Sequence, residues 1–255
     1  MEGSHLPAWQ LLLFCNHWLR KQWDHETILE CLKWSPNTSV DWRSFCSEVT
    51  LEWFKNQQPI GGDDVVVEID ETFFVKRKYE RGRNLSSVWL FGGIERVTKR
   101  KFIVPLIGQN RDRSAATLLP IIKKYILPGT TIVSDGWKAY HTLKEEGFTH
   151  WVVNHSEHFV DPSDARLHTQ YIERLWRDLK EWTKQPGMRT EYIKQYFARY
   201  LFLKEHYQDR HHQFFLAAGR LYTPQSTRQS TVPLPAAPTE EEEHSDAQPG
   251  PSSAN

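Results

Sequence analysis

Three acids, each placed at or near the end of an apolar segment, are the residues of this chain best suited to do chemistry. They are Asp70 in Val65-Val66-Val67-Glu68-Ile69-Asp70-Glu71, Asp135 in Thr131-Ile132-Val133-Ser134-Asp135-Gly136, and Glu173 in His168-Thr169-Gln170-Tyr171-Ile172-Glu173. Carboxylates gathered among apolar residues are costly unless positive charge offsets them. A divalent metal supplies that charge, and paired metals held by acids stabilise the attacking and leaving oxygens of phosphodiester chemistry. Each acid also has a plainer reading. An aspartate at a strand end caps a loop, Asp135-Gly136 is a common turn, and Glu173 with Arg177 makes an ordinary i,i+4 surface pair. The trio says more than any one member. Lys180 lies on the same helix face as Glu173 and Arg177, beside a buried face of Ile172, Leu175, Trp176 and Leu179. A carboxylate for metal and a lysine two turns on for phosphate would then share one helix.

Strand and helix patterns set out the elements that must position these groups. Strand-like runs fall at Val65–Asp70, Ser87–Ile94 and Phe102–Leu106, then at Thr130–Ser134 and His150–Val153. Helical periodicity covers Ser114–Tyr125, capped at Asp112 or Ser114, then Trp137–Glu145, Thr169–Thr183 and Thr190–His212. The first strand should end on Asp70 and the fourth beside Asp135. Three antiparallel strands followed by alternating helices and strands imply an α/β domain with a mixed, ribonuclease-H-like sheet and flanking helices. In such a sheet the first and fourth strands are neighbours, which brings Asp70 and Asp135 within reach of one ion.

Ahead of this domain, helices are expected at Leu6–Trp23, Asp24–Trp34 and Thr38–Lys55, with Asp24 capping the second and Asn37 or Ser39 the third. Three short helices with a tight break before the last fit a helix-turn-helix, and fit any small helical bundle equally. Residues 1–60 form this region, 61–222 the catalytic domain, and 223–255 an acidic Pro/Ser-rich tail too poor in apolar residues to order itself.

The net charge of zero conceals an asymmetry. The tail holds Arg228 against Glu240, Glu241, Glu242, Glu243 and Asp246, so the rest of the chain is mildly basic. Lys76, Arg77, Lys78, Arg81 and Arg83 are part of a basic strip, a weak sign of nucleic-acid contact. Cys15, Cys31 and Cys46 make no CxxC pair, which disfavours a disulfide framework and a cysteine zinc site and suits a reducing compartment. No apolar run reaches the roughly 18 residues of a membrane span, and the start lacks a signal-peptide layout.

Several motifs in order give a specific likeness: Val67-Glu68-Ile69-Asp70-Glu71-Thr72, Gly92-Gly93-Ile94-Glu95-Arg96, Ser134-Asp135-Gly136-Trp137-Lys138-Ala139-Tyr140, Val153-Asn154-His155-Ser156, Phe159-Val160-Asp161-Pro162, and His168 through Trp176, ending at Lys180. Together they resemble the DDE transposases of the Merlin superfamily and its bacterial ISXO-type insertion-sequence relatives. The amide Gln170 stands where the bacterial relatives more often carry Asn. The resemblance implies a core that cuts and rejoins double-stranded DNA at transposon ends with Mg²⁺ or Mn²⁺, with Asp70, Asp135 and Glu173 as metal ligands. Water and then a DNA 3′-hydroxyl would attack phosphorus in line, with no covalent protein–DNA intermediate. It further implies that Lys180 holds a phosphate and that Lys76, Arg77, Lys78, Arg81 and Arg83 follow the DNA backbone. The N-terminal helices would recognise terminal repeats, chiefly through Asn37–Lys55. The working form would be a dimer or larger, in the nucleus of a eukaryotic host and otherwise in the cytoplasm. Family members often carry an N-terminal zinc ribbon, for which this chain has no suitable cysteines.

Asn154, His155, His168 and Gln170 are candidates to support the acids from behind. His155-x-x-His158 could alternatively be a zinc pair. Trp137 and Tyr140 could stack on a flipped base or belong to the core. Two other functions compete with the transposase: a DNA-binding descendant that has lost catalysis, and a nuclease acting on RNA–DNA hybrids.

Overall fold

The computed structural model describes residues 5–20, 25–76, 86–108, 112–153, 168–184 and 190–222. Five strands form its main sheet: β2 (Val66–Lys76), β3 (Ser86–Glu95), β4 (Lys101–Leu106), β6 (Thr131–Asp135) and β7 (Thr149–Val153), in the order β4-β3-β2-β6-β7. β2, β3 and β4 pair antiparallel, whereas β6 runs parallel to β2 and β7 parallel to β6. This order and these directions are the ribonuclease-H-like arrangement. A short parallel pair, β1 (Ile60–Gly61) with β5 (Ile126–Leu127), ties the segment after α3 (Pro36–Lys55) to the end of helix α4 (Ala115–Tyr125).

Alternation along β2 sends its side chains to two different layers. Val67 and Ile69 pack with Phe91, Phe102, α4 and the Tyr140 region. Phe74 faces the opposite layer, built on α5 (Gln170–Trp182) and α6 (Ile193–Glu205) through Ile172, Leu175, Trp176, Phe197 and Leu201. Central strands covered on both faces explain the near-continuous apolar run before Asp70.

Helices α1 (Ala8–Arg20), α2 (His25–Leu32) and α3 (Pro36–Lys55) share a third core with Phe202 and Leu203 of α6 and Phe214 of α7 (Arg210–Leu221). The half-buried Arg199 of α6 donates to the Trp18 carbonyl and lies 4.2 Å over its ring, binding α6 to α1. These helices and the sheet layers belong to one compact unit that ends at Tyr222. Among the described residues no helix is long and apolar enough to cross a membrane.

Several expected boundaries are corrected. β2 does not stop at Asp70 but runs six residues further, to Lys76, because β3 pairs with it all the way to Lys76↔Ser86. The expected helix Trp137–Glu145 is a single 3₁₀ turn at Lys138–Tyr140 followed by turns. The expected helix Thr190–His212 breaks after Glu205, where Arg210 Nε donates to the Leu203 carbonyl at 3.0 Å and α7 departs. Helix α3 is capped by Ser35, whose Oγ accepts from Thr38 N at 3.1 Å, with Pro36 in the first turn, rather than by Asn37 or Ser39. Ser114 occupies the cap position of α4 without a side-chain cap bond, and Asp112 Oδ1 instead accepts from Ser114 N, Ser114 Oγ and Thr117 Oγ1. The position of Asp24 and the tail from residue 223 lie outside the described residues.

Candidate functional site at the end of the parallel strand pair

Parallel pairing puts the two aspartates at the same level of the sheet. Val66↔Thr131, Val67↔Ile132 and Glu68↔Val133 are register partners, so Asp70 and Asp135 lie two residues beyond the last pair on adjacent strands. Adjacent strands are about 4.8 Å apart. Asp135 ends β6 while β2 continues, so the aspartates sit where the sheet opens, and both are half-buried. Asp135 Oδ1 accepts from Trp137 N at 3.1 Å, the turn bond expected of an Asp-Gly corner.

Glu173 comes from α5, and α5 is held to β2 by a residue not singled out from the sequence. Glu68 is fully buried. Its Oε2 accepts from Tyr171 N at 2.9 Å and Ile172 N at 3.0 Å, the N–H groups of the first turn of α5. Thr169, at the cap position, makes no side-chain cap bond, so Glu68 does the capping from another strand. Arg96 Nε donates to Glu68 Oε1 at 2.8 Å, and His168 Nδ1 lies 3.3 Å from the same oxygen. Burial, followed by the nearby Arg96, pulls the His168 pKa down, so its ring is neutral at pH 7. The carboxylate therefore draws its compensating charge from Arg96.

A second tie runs from α5 straight to Asp70. Trp176 Nε1 donates to Asp70 Oδ2 at 2.9 Å. Gly92, the register partner of Asp70, makes room for that indole. A Cβ at Gly92 would lie 2.6 Å from Trp176 Cη2 and 2.9 Å from the Phe102 carbonyl oxygen. Glu173 is half-buried, one helical turn from Trp176, and its Oε1 accepts from Thr169 Oγ1 at 3.1 Å. Lys180 is exposed on the same helix, about 10 Å further along the axis.

Glu71 reports the negative charge here. It faces away from α5, and its Oε1 accepts from Tyr140 OH at 2.6 Å. Burial raises its carboxyl to about 7, with Asp70 and Asp135 pushing in the same direction. Burial likewise lifts the Tyr140 hydroxyl well above its usual range, with Glu71, Asp70 and Asp135 adding to it. Tyr140 is thus a core residue, fully buried, whereas Trp137 is 38% exposed.

Of the sequence-derived candidates, Asp70 and Asp135 are brought into one neighbourhood, since both act on Glu71 and Tyr140. Glu173 accepts from Thr169 within its own helix turn, and among the described residues no three His, Cys, Asp or Glu side chains are gathered closely enough to hold an ion. The donor set still suits a hard divalent cation: carboxylate oxygens, half-buried, at the same level of adjacent strands. Of the supporting residues, His168 acts through Glu68, and Gln170 is exposed at the first position of α5. The Lys76 side chain, Arg77, Lys78, Arg81, Arg83, Asn154 and His155 lie outside the described residues, as does His158. Glu68 could have been found from strand alternation, because it shares a face with Asp70; Gly92 and Trp176 stand in the family motifs, but nothing in their spacing marked them as partners of Asp70.

Sheet order and paired aspartates define a ribonuclease-H-like chain with an acidic centre at the tips of its parallel strands. Residues 60–204, more than half of the chain, match the family described as the ISXO2-like transposase domain, and the chain belongs to that family. An uncharacterized transposase-like protein of Haemophilus influenzae is 38% identical over 47 residues, which is 18% of this chain and 38% of that relative. The chain thus spans well under half the length of this curated relative. Among solved structures, the catalytic core domain of BIV integrase is similar at a TM-score of 0.35 and 15% identity, over 52% of this chain and 80% of that one. The HTLV-2 integrase catalytic core domain in complex with magnesium gives 0.35 and 10%, over 57% and 88%. The Drosophila P element transposase strand transfer complex gives 0.33 and 12%, over 88% and 62%.

Proposed function

We propose that this chain is a DNA transposase that cleaves and joins strands at transposon ends, using Asp70, Asp135 and Glu173 to hold Mg²⁺ or Mn²⁺. The observation that supports the reading is the register of β2 and β6, in which Asp70 and Asp135 each follow the last paired residue by two on adjacent strands, inside a transposase family domain. Bound there, a divalent cation supplies charge neutralisation at a phosphodiester and activation of the attacking oxygen. The chain's own residues do the positioning. Trp176 orients Asp70, Glu68 holds the first turn of α5 and with it Glu173, and Lys180 reaches toward a neighbouring phosphate. Lys76, Arg77, Lys78, Arg81 and Arg83 follow the duplex backbone.

Partners in this reading are transposon-end and target DNA and at least one further copy of the chain, because two ends must be held together. The compartment is the nucleus in a eukaryotic host. Recognition of terminal repeats by the N-terminal helices remains part of the proposal, but the exposed face of α3 carries Asp41 and Glu48, so phosphate contacts would have to come from other residues of that region.

The test is Mn²⁺-dependent cleavage of DNA carrying the ends that flank the gene. Asp70→Asn, Asp135→Asn and Glu173→Gln should each abolish cleavage while leaving the unfolding transition in place. Cleavage that persists in any one of them rejects the assignment of that acid. Binding without nicking by the unaltered chain would instead favour the descendant that has lost catalysis.

A further inference from the structure

On the Glu71 face of the sheet, reaching Asp135 at one end, four side chains from separate elements form one connected row of ring and cation contacts. Phe73 and Trp89 are register partners on β2 and β3, with ring centroids 5.0 Å apart. The Arg113 guanidinium carbon lies 3.9 Å from the Trp89 centroid and 4.6 Å from the Trp137 centroid, so it touches both rings. Trp137 is fixed at both ends, by Nε1 donating to the Arg113 carbonyl at 3.0 Å and by its backbone N–H on Asp135. The stack therefore begins two residues from one of the proposed metal ligands.

Its exposure is what needs a partner. Phe73 is 44% exposed and Trp137 38%, so the two ends of the stack offer aromatic surface to solvent. Rings that served only to staple the segment before α4 onto the sheet would gain more by burying themselves. Positive charge is built in as well, from Arg113 against both rings and the exposed Lys138 beside Trp137. Flat apolar faces with interleaved cations suit a planar base on an anionic backbone. Duplex DNA hides its base faces in the helical stack, so the fitting form is a strand with unpaired bases.

We propose that the Phe73–Trp89–Arg113–Trp137 stack holds unpaired nucleotides of the DNA strand leading into the acidic centre. The proposal rests on the DNA-cutting reading of the same site and specifies the substrate's form: a strand end that is melted or already single-stranded.

The experiment measures fluorescence anisotropy of labelled oligodeoxythymidine, and of a blunt duplex of equal length, with the full chain in the absence of metal. Trp137→Ala should weaken oligodeoxythymidine binding by roughly tenfold or more, with less than about twofold change on the duplex. Trp137→Phe should recover most of the loss, and Arg113→Lys, which keeps charge without a planar fork, should not. Phe73→Ala, at the other end of the stack, provides a second reading should Trp137→Ala fail to fold. Single-strand binding unchanged in both alanine variants overturns the proposal, and so does an equal loss on both probes. Asp70→Asn separates the two claims: it should bind oligodeoxythymidine at least as tightly as the unaltered chain while cleaving nothing. Cleavage by Asp70→Asn rejects the acidic centre and leaves the stack standing; unchanged binding by both Trp137→Ala and Phe73→Ala does the reverse.

Discussion

Gly92 faces Asp70 across the β2–β3 pair, and the Trp176 indole occupies the space a side chain would need there. That space lets the indole N–H reach Asp70 Oδ2, so one missing methyl group sets the direction of a proposed metal ligand. Gly92→Ala must push against a ring and against the Phe102 carbonyl, and the carbonyl cannot move without disturbing β4. Overpacking of this kind costs about 1–3 kcal/mol, which urea unfolding would register as a lower midpoint. A midpoint equal to that of the unaltered chain would mean that the indole has room to shift, and that Asp70 is oriented by something else. Glu71 belongs to the same neighbourhood but a different layer. Its bond to Tyr140 and its carboxyl, raised to about 7 chiefly by burial, place it on the α4 side of the sheet, away from α5.

At the scale of elements, the decisive contact is the docking of α5 on β2. Its first turn directs two N–H groups at a fully buried carboxylate, and Arg96 from the end of the β3 hairpin arm closes the pair. Glu68→Ala would remove the acceptor that these three donors share. Breaking a buried pair by deleting one partner costs on the order of 3–5 kcal/mol. Calorimetric or urea unfolding of Glu68→Ala should show a loss of that size, and a loss under about 1 kcal/mol would deny Glu68 its place in holding α5. Much of this arrangement was legible in the chain itself. Apolar runs located five strands, the order of elements predicted the mixed sheet, and the spacing Ile172, Leu175, Trp176, Leu179 predicted the buried face of α5. What escaped was long-range partnership. Asp70 looked like a strand end because the acid interrupts an apolar run, yet β2 continues through Glu71–Lys76 on the strength of its pairing with β3. The Trp137–Glu145 segment has helical spacing, but the Asp135 turn and the burial of Tyr140 against Glu71 hold it as a short 3₁₀ turn.

For the whole molecule, the same distinction separates the sheet from the N-terminal helices. Their periodicity announced three helices but not what would cover them. Phe202, Leu203 and Phe214, from elements some 150 residues later in the chain, complete their core, and Arg199 lies over the Trp18 ring. The break before α7 that makes this packing possible has no Pro or Gly to mark it. The acidic centre is therefore built from the middle of the chain and covered by its later part: β2 and β6 supply the aspartates, and α5 and α6 both pack on one face of the sheet. If these acids exist to hold a cation, the folded chain must bind one before any DNA is present. Mn²⁺ titration followed by electron paramagnetic resonance measures this directly, with the unaltered chain, Asp70→Asn and Asp135→Asn compared at equal concentration. Each substitution should weaken Mn²⁺ binding by roughly tenfold or more, the loss of one carboxylate from a small oxygen cage. Identical titrations for all three proteins, with the fold intact, would show that the paired aspartates hold no metal and would contradict the account at its root.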